Sequence, residues 1–156
     1  VPAGPLEAEL AADLELMLRE LVPRFYHTHD SRRSVAGFPD YCLVVNTPSG
    51  PQLLFLELKR EGGRPTPEQV GWLRSLAQAG ALAMLAGGRA GVAAVVRFLE
   101  ELRKGRRISP AALGRVWCVG DLSPNVRRLF DDDTAVVGST SSRRPRPDIR
   151  PRRRGS

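Results

Sequence analysis

The chain has 156 residues, 42% of them apolar, enough for one modest core without disulfide or metal staples. Lys plus Arg number 24 against 17 Asp plus Glu, a formal charge of +7, yet residues 1–102 carry a net −2. The surplus lies in 103–130 and 143–156, each at +6, with Asp131, Asp132 and Asp133 between them, which excludes a uniformly basic, histone-like core.

Cys42 and Cys118 are the only cysteines. Together with His27 and His29 they lack zinc-finger spacing, so a reduced, cytoplasmic protein is expected. The first apolar segment is broken by acids every few residues, which argues against a signal peptide or a membrane span.

Leu6, Leu10, Leu14, Met17, Leu18 and Leu21 fall within about 120° of arc at helical spacing, predicting a helix over 6–21 stopped by Pro23. Glu9, Asp13 and Glu20 cluster on one edge of that arc. Residues 24–28 suit a short strand and 30–34 a polar loop. Tyr41 to Val45 is β-rich, and the turn chemistry of 46–51 sends residues 52–59 back as a hairpin partner. Thr66-Pro67-Glu68-Gln69 has the grammar of a helix start, with Thr66 as N-cap and Gln69 at the third position. That helix ends near Gly80. Residues 81–86 read as a buried strand, 87–91 as a turn, and 92–102 as an amphipathic helix, giving the order α-β-β-β-α-β-α. Val116 to Val119 could add a strand. Residues 103–137 read as a basic extension, and 138–156, rich in Arg, Pro and Ser, are expected to be a disordered tail.

Along 52–59 the side chains alternate, so Leu53, Phe55, Glu57 and Lys59 share one face and Leu54, Leu56 and Leu58 the other. A hairpin turning at 46–51 brings Asp40 opposite Glu57. Two carboxylates that close repel unless a hard divalent cation sits between them. Such an ion polarises a phosphoryl oxygen and acidifies a bound water, and Lys59 beside it could orient that water or neutralise developing charge. The same residues also suit a plain ion pair and a turn cap. Against the plain pair stands the strand itself. Glu57 interrupts an otherwise apolar run, where an unpaired charge is costly.

The ordered set Gly37-Phe38-Pro39-Asp40, Phe55-Leu56-Glu57-Leu58-Lys59 and Thr66-Pro67-Glu68-Gln69, with Trp72-Leu73 and Ala79-Gly80-Ala81, resembles the VRR-type nuclease domain of the PD-(D/E)XK superfamily. Residues 26–33 are similar to small stand-alone phage and bacterial members, and the likeness covers 6–102. It implies a restriction-endonuclease-like α/β core with a mixed central sheet flanked by helices. It further implies a DNA endonuclease dependent on Mg²⁺ or Mn²⁺. Asp40, Glu57 and the Leu58 carbonyl would hold the metal, Lys59 would be the catalytic lysine, and Gln69 would face the site. An acid on the first helix is also implied, best matched by Glu9, with Asp13 or Glu20 as substitutes. Many relatives dimerise, so a homodimer is among the implications.

Around this core, His29, Arg32, Arg33, Arg60 and Arg64 are candidates to grip DNA phosphates, contacts that position rather than specify. His27 and His29 equally suit a core edge, and Phe38 and Trp72 suit packing. A nuclease-fold accessory that binds DNA but cleaves poorly is the alternative function. An RNA-binding module would need aromatics exposed on the strands, which the pattern lacks.

Overall fold

The computed structural model describes residues 6–28, 34–108 and 116–118, the last three as backbone alone. His29, Arg32, Arg33, the tail from 138 and most of the 103–137 extension lie outside the described residues.

Helix α1 (Glu7–Leu21) turns Leu10, Leu14 and Leu18 fully inward, as the leucine periodicity predicts. Val22 and Pro23 then lead into β1 (Arg24–His27). Strands β2 (Tyr41–Thr47) and β3 (Gly50–Lys59) form the expected hairpin, but both run further into the turn than the sequence suggests. Thr47 pairs with Gly50, leaving Pro48 and Ser49 as a two-residue connection. Thr47 Oγ1 also donates to the Gly50 carbonyl at 2.7 Å, which closes the turn.

Helix α2 (Pro67–Gln78) starts where Thr66 caps it. The Gln69 amide N–H donates to Thr66 Oγ1, and the Gln69 side chain accepts from the Thr66 N–H at 2.8 Å. Strand β4 (Leu82–Gly87) is buried throughout. It runs straight into α3 (Gly88–Arg103), so the turn expected over 87–91 is absent. The glycines serve a different end there. Gly88 alone takes up the change of direction, at φ +66°, while Gly91 lies inside the helix, where a Cβ would come 3.1 Å from the Ala86 backbone. Strand β5 (Val116–Cys118) adds the last edge.

The strands lie in the order β1-β2-β3-β4-β5. Only β3 and β4 are parallel, joined by the α2 crossover, so the sheet is mixed as expected. Helices α1 and α3 cover one face, over Tyr41, Leu43, Val45, Leu54, Leu56, Leu58 and Met84, with Phe98 of α3 packed among them. Helix α2 covers the other with Leu73 and Ala77 against Ala83. Because β3 is sandwiched, residues 54–58 are all buried, and Glu57 is the one charged side chain in the core among the described residues. Glu57 sits in the sheet near the carboxyl ends of β3 and β4, paired with Leu85, and next to Asp40, which immediately precedes β2. No described helix is long and apolar enough to cross a membrane.

Candidate active site

Register places the two acids. Tyr41 pairs with Leu56, so one step outward sets Asp40 opposite Glu57. The Thr28 N–H donates to the Asp40 carbonyl at 2.9 Å and ties β1 to the same point. Asp40 Oδ2 accepts from the Leu58 N–H at 2.8 Å. Glu57 is wholly buried, and its Oε1 takes both the Lys59 ammonium at 2.7 Å and the Gln69 side-chain amide. Its second oxygen, Oε2, has no partner.

Approach to this point is controlled by the loop ahead of Asp40. Gly37, at φ +83°, lies so close to the first turn of α2 that a Cβ would sit 2.6 Å from Glu68 atoms. Phe38 packs edge-on against Phe55 and Trp72, at ring distances of 5.9 and 5.1 Å. The packing role of Phe38 and Trp72 thus fixes where Asp40 begins its strand relative to the helix that carries Gln69.

Electrostatically the pair is strained in the way the sequence suggests. Burial, then the Asp40 charge, pushes Glu57 up to about 7, against the opposing pull of Lys59. Burial also raises Asp40, partly offset by the Leu58 N–H and Lys59. For Lys59 burial favours the neutral amine, but the bond and charge of Glu57, with Glu7 and Asp40, outweigh it and its pKa rises. A buried carboxylate with an orphaned oxygen and a half-buried one facing it, beside a fixed ammonium, make a set that lacks positive charge. A divalent cation fits it. Among the described residues no three His, Cys, Asp or Glu side chains converge as ligands, but Mg²⁺ commonly takes one or two carboxylates and completes its shell with water.

The structure does not bring every candidate together. Glu9 is exposed, and its carboxylate accepts from the Leu6 N–H at 3.3 Å, capping its own helix. Asp13 faces Arg89 of α3 at 3.7 Å, and Glu20 is exposed. The α1 acid that reaches the cluster is Glu7, whose Oε1 accepts from the Arg60 N–H at 3.2 Å and lies 4.0 Å from Lys59 Nζ. Glu15 is a second acid absent from the sequence reading. It holds His27 Nδ1 at 2.7 Å and takes a bond from the Tyr41 hydroxyl. The signal for both lay in the helical wheel. Glu7 falls beside Leu18 and Glu15 falls between Ala11 and Ala8, on the side of the apolar arc opposite to Glu9, Asp13 and Glu20. Arg60 and Arg64 are exposed beside the site. Leu58 reaches it through its N–H.

The VRR-NUC domain profile matches residues 6–96, more than half of the chain. The chain belongs to the VRR-NUC domain family. Its lineage is therefore that of the PD-(D/E)XK nucleases, and its sheet and helices form the restriction-endonuclease-like core. Among solved structures, a VRR-NUC domain protein is similar at 21% identity and a TM-score of 0.47, over 65% of this chain and 90% of that one. The Holliday junction resolvase Hjc of Archaeoglobus fulgidus is similar at 20% identity and a TM-score of 0.39, over 52% of this chain and 67% of that one. No curated protein matches the sequence.

Proposed function

We propose that this VRR-NUC chain hydrolyses phosphodiester bonds in DNA with Mg²⁺ or Mn²⁺, as an endonuclease of phage or bacterial origin acting in the cytoplasm, with a homodimer as its working form. The observation that carries the reading is the buried Glu57, opposite Asp40, with one oxygen held by Lys59 and Gln69 and the other unpartnered.

Asp40 and Glu57 would hold the cation, with the Leu58 carbonyl beside them. The bound ion would supply Lewis acidity toward the phosphate and a more acidic water. The remaining work falls to the chain's own groups. Gln69 fixes the Glu57 carboxylate from the start of α2, so the free oxygen keeps one direction. Lys59, gripped by Glu57 and near Glu7, keeps an N–H donor at the strand end, where it can orient the attacking water and meet charge building on the phosphate. The N-terminus of α2 faces the same region and favours an anion. Arg60 and Arg64, with Arg32 and Arg33, would hold the neighbouring phosphates, which predicts strong salt dependence.

The test incubates the protein with supercoiled, branched and single-stranded DNA in Mg²⁺, Mn²⁺ or chelator, beside Lys59→Ala and Asp40→Asn. Cleavage that needs the metal and vanishes in both variants is expected. Equal nicking by the variants would defeat the assignment.

A further inference from the structure

Next to Asp40, on the side away from α2, a groove of about 450 Å³ opens between α1 and the ends of β1 and β2. That size falls in the range of small-ligand sites. One wall is the Ala8, Ala11 and Ala12 stripe of α1, with Tyr41 and Leu58 at the sheet end. The polar groups are built in rather than loose. The Glu15 and His27 side chains are only 19% and 16% exposed, bonded to each other, and the His27 ring stacks on Tyr41 at 4.3 Å and 10°. Both the His27 and Tyr41 bonds go to Glu15 Oε1, so neither uses Oε2.

The charge of the groove selects its occupant. Glu7, Glu15 and Asp40 line it, with His27 the one basic side chain among the described lining residues. A bare phosphate there would face three carboxylates. A neutral ring carrying N–H donors meets acceptors instead, with flat apolar contacts from the alanines. Nucleobases have that chemistry, and they expose it only when unpaired. We propose that this groove binds the unpaired base of the nucleotide adjoining the cleaved phosphate, with Glu15 accepting from an exocyclic amino group and His27 held as its wall. The proposal rests on the nuclease reading for what lies next door, at Asp40. It makes Glu15 a specificity residue and Tyr41 and His27 positioning residues. Adenine, cytosine and guanine carry the amino group, whereas thymine presents a carbonyl oxygen that Glu15 repels.

Two measurements test it. In Ca²⁺, short single strands carrying 2-aminopurine at successive positions are titrated with the protein and with Lys59→Ala. A fluorescence change confined to one position is expected, and its loss in Glu15→Ala. In Mg²⁺, single-turnover cleavage is compared for adenine, purine, thymine and an abasic sugar at that position. Losing one hydrogen bond to a charged group predicts rates about tenfold or more below adenine for the last three, a spread that Glu15→Ala collapses. Uniform fluorescence along the strand, or rates indifferent to the base, would overturn the proposal, and this wild-type series decides even if Glu15→Ala does not fold. Absence of all cleavage with a localised fluorescence change would instead defeat the nuclease reading and leave the base site standing.

Discussion

The buried Glu57 should make the metal-free protein lose stability as pH rises, and the size of the loss follows from its surroundings. An ordinary glutamate titrates at 4.5, whereas burial and the facing Asp40 carry Glu57 up to about 7 in the fold. Between those values the folded chain holds a proton that the unfolded chain has released. Stability contributed by the protonated group is therefore complete below pH 4.5 and declines up to pH 7. Each pK unit corresponds to about 1.4 kcal/mol, so the interval amounts to about 3 kcal/mol at most. Asp40, raised in the same direction, adds a decline of the same sign. Urea unfolding in chelator, at constant ionic strength from pH 4.5 to 8, measures this directly. Wild type minus Glu57→Gln isolates the contribution, because the other titrating groups cancel to first order. The difference should fall across the interval and flatten above it. Adding Mg²⁺ at pH 8 should recover stability in wild type alone, by about 2.7 kcal/mol at a hundredfold excess over Kd. A wild-type curve parallel to that of Glu57→Gln would refute the reasoning, since it would mean that Glu57 is neither desolvated nor pressed by Asp40.

Three further outcomes follow from neighbouring contacts. Gln69→Ala removes both the back-bond that starts α2 and the amide on Glu57, so it should cost about 0.5–2 kcal/mol in urea unfolding and slow cleavage as well. Gly37→Ala forces a Cβ into the Glu68 backbone at a positive φ; a loss of about 1–3 kcal/mol is expected in the same assay, with weaker metal binding by calorimetry as Asp40 is displaced. Glu7→Gln should slow cleavage by about tenfold, beyond the roughly fivefold that losing a surface ion pair explains, while Glu9→Gln should do little; equal effects would show that the helical acid is not selected by its edge.

The strand hairpin and the α2 start were legible because each is written in local chemistry. Alternation over 52–59 fixes which residues share a face, and the Thr66-Pro67-Glu68-Gln69 string fixes where a helix begins. Once those are in place, the meeting of Asp40, Glu57, Lys59 and Gln69 needs only the hairpin register, and a slip of one residue would have sent Glu57 to the α1 face. The turn expected over 87–91 gives way to helix for a related reason. Glycines signal either a turn or a close approach, and only the packing of α3 onto Ala86 separates the two at Gly91.

The first helix shows where local chemistry runs out. Its leucines state that one arc is buried, and they state it clearly. An arc has two edges, however, and acids occur on both. Which edge turns toward the end of β3 depends on how α1 leans across the sheet beside α3, a long-range packing outcome. The small side chains decide it. Ala8, Ala11 and Ala12 let α1 approach the sheet end with room left for a groove, which carries Glu7 to Lys59 and Glu15 to His27, while Glu9 and Asp13 turn toward their own helix start and toward Arg89. An acid next to alanines on an amphipathic helix is thus the better candidate for a functional carboxylate than one in a run of like charges.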